Sequence, residues 1–159
     1  MDYDLPDESL ARLRSHGINQ LHVSKRDERD ENLLESFDEL CAVIEAELQG
    51  GKKVLVHCAM GISRSATVVC AYLMQRFALP RSDAKQLVKS KRNVANPNSA
   101  FYTQLRIWGQ CHYDLRAAIS INGVKPFKQP YQDWLQEFEL MKRERRERRE
   151  RERAASEMG

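Results

Sequence analysis

The stretch His57-Cys58-Ala59-Met60-Gly61-Ile62-Ser63-Arg64-Ser65 lies between two apolar runs. Val54-Leu55-Val56 leads into it and reads as a strand. Ala66 to Met74 leaves it and reads as a helix with apolar residues all round, hence a core helix. A strand, a tight loop and a helix N-terminus together aim several backbone N–H groups at one spot, where the helix dipole also favours negative charge. Gly61 lets the loop take angles that a side chain would forbid. Cys58 sits where such a field would lower a thiol from about 8.5 into the range of about 3.5–7.5, making it a thiolate near neutrality. Arg64 offers a planar fork of donors matched to two oxygens of a phosphate. Nucleophile, anion cradle and charge clamp thus fall within seven residues. No Gly-x-x-x-x-Gly-Lys is present, so this is not the Walker nucleotide loop.

His-Cys-x-x-Gly-x-x-Arg-Ser resembles the signature of the cysteine-dependent protein phosphatases, and its flanks resemble the dual-specificity branch. Asn93 to Phe101, followed by Gln104-Leu105, resembles the segment that follows the signature helix in that branch, and the resemblance runs from about Ser24 to Trp108. It implies an α/β fold with a central, mostly parallel sheet flanked by helices. It also implies a longer run ahead of the acid loop than the 26 residues that precede Asp27, so a truncated N-terminal edge is allowed for. The implied activity is hydrolysis of phosphotyrosine and of phosphoserine or phosphothreonine through a cysteinyl-phosphate, with no metal or other cofactor. Ala59, Met60, Gly61, Ile62 and Ser63 form the phosphate-binding loop with Cys58 and Arg64. The resemblance implies that Ser65 donates to the thiolate and helps it leave, and that His57 orients the loop without donating a proton. Ala59, Met60, Ile62 and Ser63 include no Lys or Arg, which fits a singly phosphorylated protein side chain.

The leaving group needs an acid from elsewhere. The family places an Asp about thirty residues upstream, between a strand and a helix. Asp27 lies 31 positions before Cys58 and is followed by Asn32-Leu33 as in the family's pattern; Asp30 is the competitor. Two other readings stay open: a weak or inactive module that binds phosphoproteins, and an RNA 5′-phosphatase that uses the same loop.

The rest of the chain sets the surroundings. Residues 1–17 are mostly polar, with a short helix at Leu10 and Leu13 that Gly17 ends. Ile18 to Ser24 alternates weakly and reads as a strand. Asn32 and Glu35 look like an N-cap and its reciprocal partner. Leu33, Phe37, Leu40, Ile44 and Leu48 then mark an amphipathic helix that Gly50-Gly51 stops. Lys52 to His57, apolar at three successive residues, reads as a central strand buried on both faces. Pro80 breaks the signature helix, and Ser82 can cap the next one, to about Arg92. Asn96-Pro97-Asn98 and Asn122-Gly123 read as turns. Phe101, Leu105, Trp108, His112 and Leu115 make one stripe, with His112 at its boundary. Pro130 opens a last helix whose Tyr131, Trp134, Leu135 and Phe138 share a face.

The expected divisions are an N-terminal segment at 1–17, a catalytic domain at 18–117, an extension with one helix at 118–141 and a charged tail at 142–159. Of the net charge of +3, residues 142–153 carry eight Lys or Arg against four Glu. The remainder is close to neutral, so a nucleic-acid partner is not expected outside the tail. The tail itself reads as a solvated helix held by Glu/Arg pairs or as a frayed end. Cysteines 41, 58, 70 and 111 show no metal-ligand spacing and read as free thiols of a reducing compartment, cytoplasmic or nuclear. No apolar run is long enough to span a membrane. The expected partner is a phosphorylated protein, met by a monomer.

Overall fold

The structure, a computed structural model, describes residues 7–120 and 123–157. Helix α1 (Asp7–Ser15) is followed by a 3₁₀ turn at Leu34–Ser36 that leads into α2 (Phe37–Gln49). Then come α3 (Arg64–Phe77), α4 (Arg81–Lys91), α5 (Ser99–Gln110) and α6 (Gln129–Glu157). Helix α3 lies at the centre and touches α2, α4 and α5. Ala66, Thr67, Val68, Cys70, Ala71 and Met74 are buried on it, as expected of a helix apolar on all sides. Its left-handed end, at Ala78, comes just before Pro80. Trp108 of α5 is the largest fully buried side chain. Its ring meets Phe37 of α2 edge-on at 5.7 Å, and its indole N–H donates to Ala71 O at 3.2 Å, so one residue ties three helices together.

The expected sheet does not form. Among the described residues β pairing is confined to isolated bridge positions, one of them the antiparallel bridge between Arg116 and Phe127. Residues 18–24 and 52–57 run as irregular chain. A strand needs a neighbour with which to exchange backbone hydrogen bonds, and neither segment has one among the described residues. The burial pattern shows what the apolar triplet concealed. Val54 and Val56 are half-buried against the helical core, while Leu55 is 84% exposed. One face is covered rather than two, and three apolar residues are too few to distinguish those cases.

Two smaller expectations also fail. Ser82 does not cap α4; it lies inside the helix and donates to Asp83 Oδ1 at 2.8 Å, while Pro80 stands at the cap. The stripe through His112 breaks after Gln110. His112 and Tyr113 turn the chain at φ +51° and +58°, and His112 is exposed. Asn32 and Glu35 do pair, Glu35 N–H donating to Asn32 Oδ1 and Asn32 Nδ2 to Glu35 Oε2, both at 3.2 Å. Asn32 is not the cap, however: Leu33 precedes the 3₁₀ turn and Ser36 precedes α2, neither with a side-chain cap bond. Asn122 lies outside the described residues.

Helix α6 docks by its first turns. Tyr131, Trp134 and Phe138 are buried and stack in sequence, with ring centroids 5.8 and 4.8 Å apart. Beyond Met141 the helix continues through the charged run, laced by Arg146–Glu150 at 2.9 Å and Arg148–Glu152 at 3.6 Å. No helix among the described residues is long and apolar enough to cross a membrane.

Gln104 joins this core to the chain that precedes it. It is fully buried, its Oε1 accepts from Leu33 N at 2.9 Å and Leu34 N at 2.8 Å, and its Nε2 donates to Glu31 O at 2.8 Å. A buried donor stripped of its partner costs roughly 1–3 kcal/mol. Gln104→Leu is therefore expected to lower the unfolding free energy by about 2–4 kcal/mol in urea titration, despite its similar volume.

Candidate active site

Cys58 stands where the irregular 52–57 segment meets the loop. Burial alone would push its thiol up, but the Ser65 hydroxyl and the backbone N–H groups of Ser65, Gly61 and Ile62 all bond to the sulfur and bring its pKa down from 9.0 to about 7. The Ser65 Oγ to Cys58 Sγ distance is 3.3 Å. The three N–H groups come from the loop and the first turn of α3, where helix geometry leaves them without internal partners. Gly61 makes this turn at φ +63°, and a Cβ there would stand 3.1 Å from Arg92 Nη2. Arg92 holds the outer side of the loop: its Nε donates to Gly61 O at 2.8 Å and its Nη2 to Met60 O at 3.3 Å. With those carbonyls turned outward, the amides face the sulfur.

The loop is bonded to the segment expected to supply an acid. Ser63 is buried; its hydroxyl donates to Asp27 Oδ1 at 2.7 Å and accepts from Asn98 N at 3.1 Å. Asn98 Nδ2 donates to the same Asp27 oxygen at 2.9 Å, while Asn98 Oδ1 caps α5 through Phe101 N at 2.9 Å. Arg64 Nη1 donates to Lys25 O at 2.8 Å. Asp27 thus meets the loop directly. Asp30 instead faces Arg145 of α6, with 3.8 Å between Nη1 and Oδ2.

The structure brings Cys58, Gly61, Ile62, Ser65 and, through Ser63, Asp27 into one cluster. Met60 is 71% exposed at the rim. Ala59 and His57 are exposed, and no hydrogen bond joins the His57 ring to another described residue. Arg92, and the double contact of Asn98, went unread in the sequence. Both lie more than thirty positions from their partners, and only Asn98 sat in a quoted motif, as a turn.

The other thiols show what the loop supplies. Cys41 is pushed up to about 12 by burial and by the nearby Asp38, and burial pushes Cys70 up to about 11. All four cysteines are free. Since the folded pKa of Cys58 lies below its ordinary value, its ionisation favours the folded state at high pH, and that contribution is lost as pH falls through about 7. Alkylation of Cys58 by iodoacetamide is expected to be half-maximal near pH 7, with Cys41 and Cys70 unreactive. Ser65→Ala should move the midpoint upward, as read by peptide mass spectrometry across a pH series.

The family model for the dual specificity phosphatase catalytic domain matches residues 5–111. Human dual specificity phosphatase 28 is 39% identical over 113 residues, covering 71% of this chain and 62% of that protein. The fission yeast (Schizosaccharomyces pombe) tyrosine-protein phosphatase yvh1 is 35% identical over 115 residues, covering 72% of this chain and 32% of that one. The chain therefore spans between about a third and two-thirds of the length of these relatives. Among solved structures, the human tyrosine phosphatase-like serine/threonine/tyrosine-interacting protein superposes with a TM-score of 0.60 at 30% identity, covering 68% of this chain and 87% of that one.

Proposed function

Because this chain belongs to the dual specificity phosphatase family, we propose that it hydrolyses phosphotyrosine and phosphoserine or phosphothreonine in proteins through a phosphocysteine intermediate. The observation that supports this most directly is the convergence of the Gly61, Ile62 and Ser65 amides and the Ser65 hydroxyl on a sulfur whose pKa lies at about 7. Those donors stabilise a thiolate now and would serve the oxygens of a phosphoryl group next.

In the first step the Cys58 thiolate attacks phosphorus, the bond from phosphorus to the ester oxygen breaks, and Asp27 gives that oxygen a proton. Ser63 and Asn98 both donate to Oδ1 of Asp27, so Oδ2 is the oxygen left to hand over the proton in this reading. The Arg64 guanidinium neutralises the equatorial oxygens as charge spreads over them. In the second step Asp27 takes a proton from water, the water oxygen bonds to phosphorus, and the sulfur–phosphorus bond breaks. The Ser65 hydroxyl then donates to the departing thiolate. Asp30 suits the acid's role less well, since it pairs with Arg145.

The chain is expected to hydrolyse an aryl phosphate and a phosphotyrosine peptide with chelator present. Cys58→Ser should remove at least about 10⁴-fold of this activity. Asp27→Asn should lower kcat by about 10²–10⁴-fold while substrate still binds. If Asp30→Asn has that effect and Asp27→Asn does not, the acid is misassigned; if the unaltered chain binds phosphopeptide without turnover, it is a binding module.

A further inference from the structure

The charged end of α6 is not wholly turned to solvent. One helical turn apart, Arg145 and Arg149 reach back to the loop that carries Asp27. Arg145 Nη1 lies 3.8 Å from Asp30 Oδ2, and Arg149 Nη2 lies 4.0 Å from Glu28 Oε2. The first pair is the more protected: the Asp30 side chain is 12% exposed and that of Arg145 29%. Asp30 Oδ1 is buried without a hydrogen-bond partner. A carboxylate so placed needs hydrogen-bond donors and a nearby cation to remain charged. Burial pushes the Asp30 carboxyl up; its own backbone N–H, the Glu28 side chain and then Arg145 and Arg149 together hold it below the usual carboxylate range. Around the first turn of α6, Asn32 Nδ2 donates to the Tyr131 hydroxyl at 3.3 Å.

We infer that Arg145, with a lesser contribution from Arg149, is a positioning residue for the acid loop: α6 grips Asp30 and Glu28 on one flank while Ser63 and Asn98 hold Asp27 on the other. This rests on the reading of Asp27 as the acid. Glu28 and Asp30 follow Asp27 by one and three residues, so the segment they anchor cannot drift without moving it. Pulling Asp30 toward α6 keeps a second negative charge away from the phosphate and leaves Asp27 as the carboxyl that meets the loop. The basic run is then an intramolecular strut, and its outward residues Arg146, Arg148 and Arg151 pair along the helix instead.

A misplaced acid matters most when the leaving oxygen is a poor leaving group, because proton donation then carries more of the barrier. The test is Arg145→Ala in the full chain, assayed on an alkyl phosphate and on p-nitrophenyl phosphate, with amide hydrogen exchange followed over residues 26–31. The expected result is about a fivefold fall in kcat on the alkyl ester with little change on the nitrophenyl ester, the size expected from losing one partly buried ion pair. Exchange over 26–31 should quicken, the Cys58 alkylation profile should stay unchanged, and Arg145→Lys should restore most of the loss. Asp30→Asn should have a similar effect that does not add to that of Arg145→Ala. Equal losses on both esters, additive effects, or unchanged exchange would overturn the inference. If the unaltered chain hydrolyses neither ester, the phosphatase reading falls and the exchange data alone decide whether α6 holds the loop.

Discussion

A thiolate in a half-buried place needs donors other than water to hold its charge, and the arrangement of this chain around Cys58 answers that need. Three of its cysteines are desolvated, Cys41 and Cys70 fully and Cys58 in part, with different outcomes. Cys41 and Cys70, each inside a packed helix whose amides are already spent on the helix itself, rise to about 12 and 11. Cys58 lies just before a helix start, where amides have no internal partner, and it falls to about 7. Residue type is the same in all three; lighter burial and a supply of donors, the Ser65 hydroxyl first and then unspent N–H groups, decide the sign.

Holding those amides inward requires a frame. Arg92 draws the Met60 and Gly61 carbonyls to the outside, and Asn96 N donates to Ile62 O at 2.8 Å. Ser63 passes the constraint on, since its hydroxyl is shared between Asp27 and Asn98. Arg64 adds the Lys25 carbonyl. The loop and the segment carrying Asp27 are thus one hydrogen-bonded unit, and Gln104 and α6 fasten the far side of that unit to the core. A buried polar network of this kind favours a single geometry because each lost bond strands its partner.

Much of this was open to a reading of residues. The start of α5 and the docking face of α6 appear where the three- and four-residue spacing puts them, and the all-round apolar run became the central helix. The α2 stripe holds at Phe37 and Ile44, while Leu33 precedes the helix and Leu48 is exposed. The Cys58 cradle follows from local spacing, because seven residues suffice to build it. The failures share a cause. Val54-Leu55-Val56 reads identically whether one face or two are covered, and a strand is defined by a neighbour elsewhere in the chain, here absent among the described residues. His112 continues a stripe numerically, yet the helix had already ended at Gln110.

Local chemistry in the sequence therefore determined the thiol, the amide-rich loop around it, its serine and arginine, and the helices that bury apolar faces at a regular period. Tertiary structure decided which carboxylate meets the loop, what fills the outer side of the turn, and where the charged helix leans. The reason is the range of the forces involved. Periodicity and capping act within one or two turns, whereas Asp27 to Ser63, Asn98 to Asp27 and Arg145 to Asp30 are contacts between segments 36, 71 and 115 residues apart, and only packing brings such segments together.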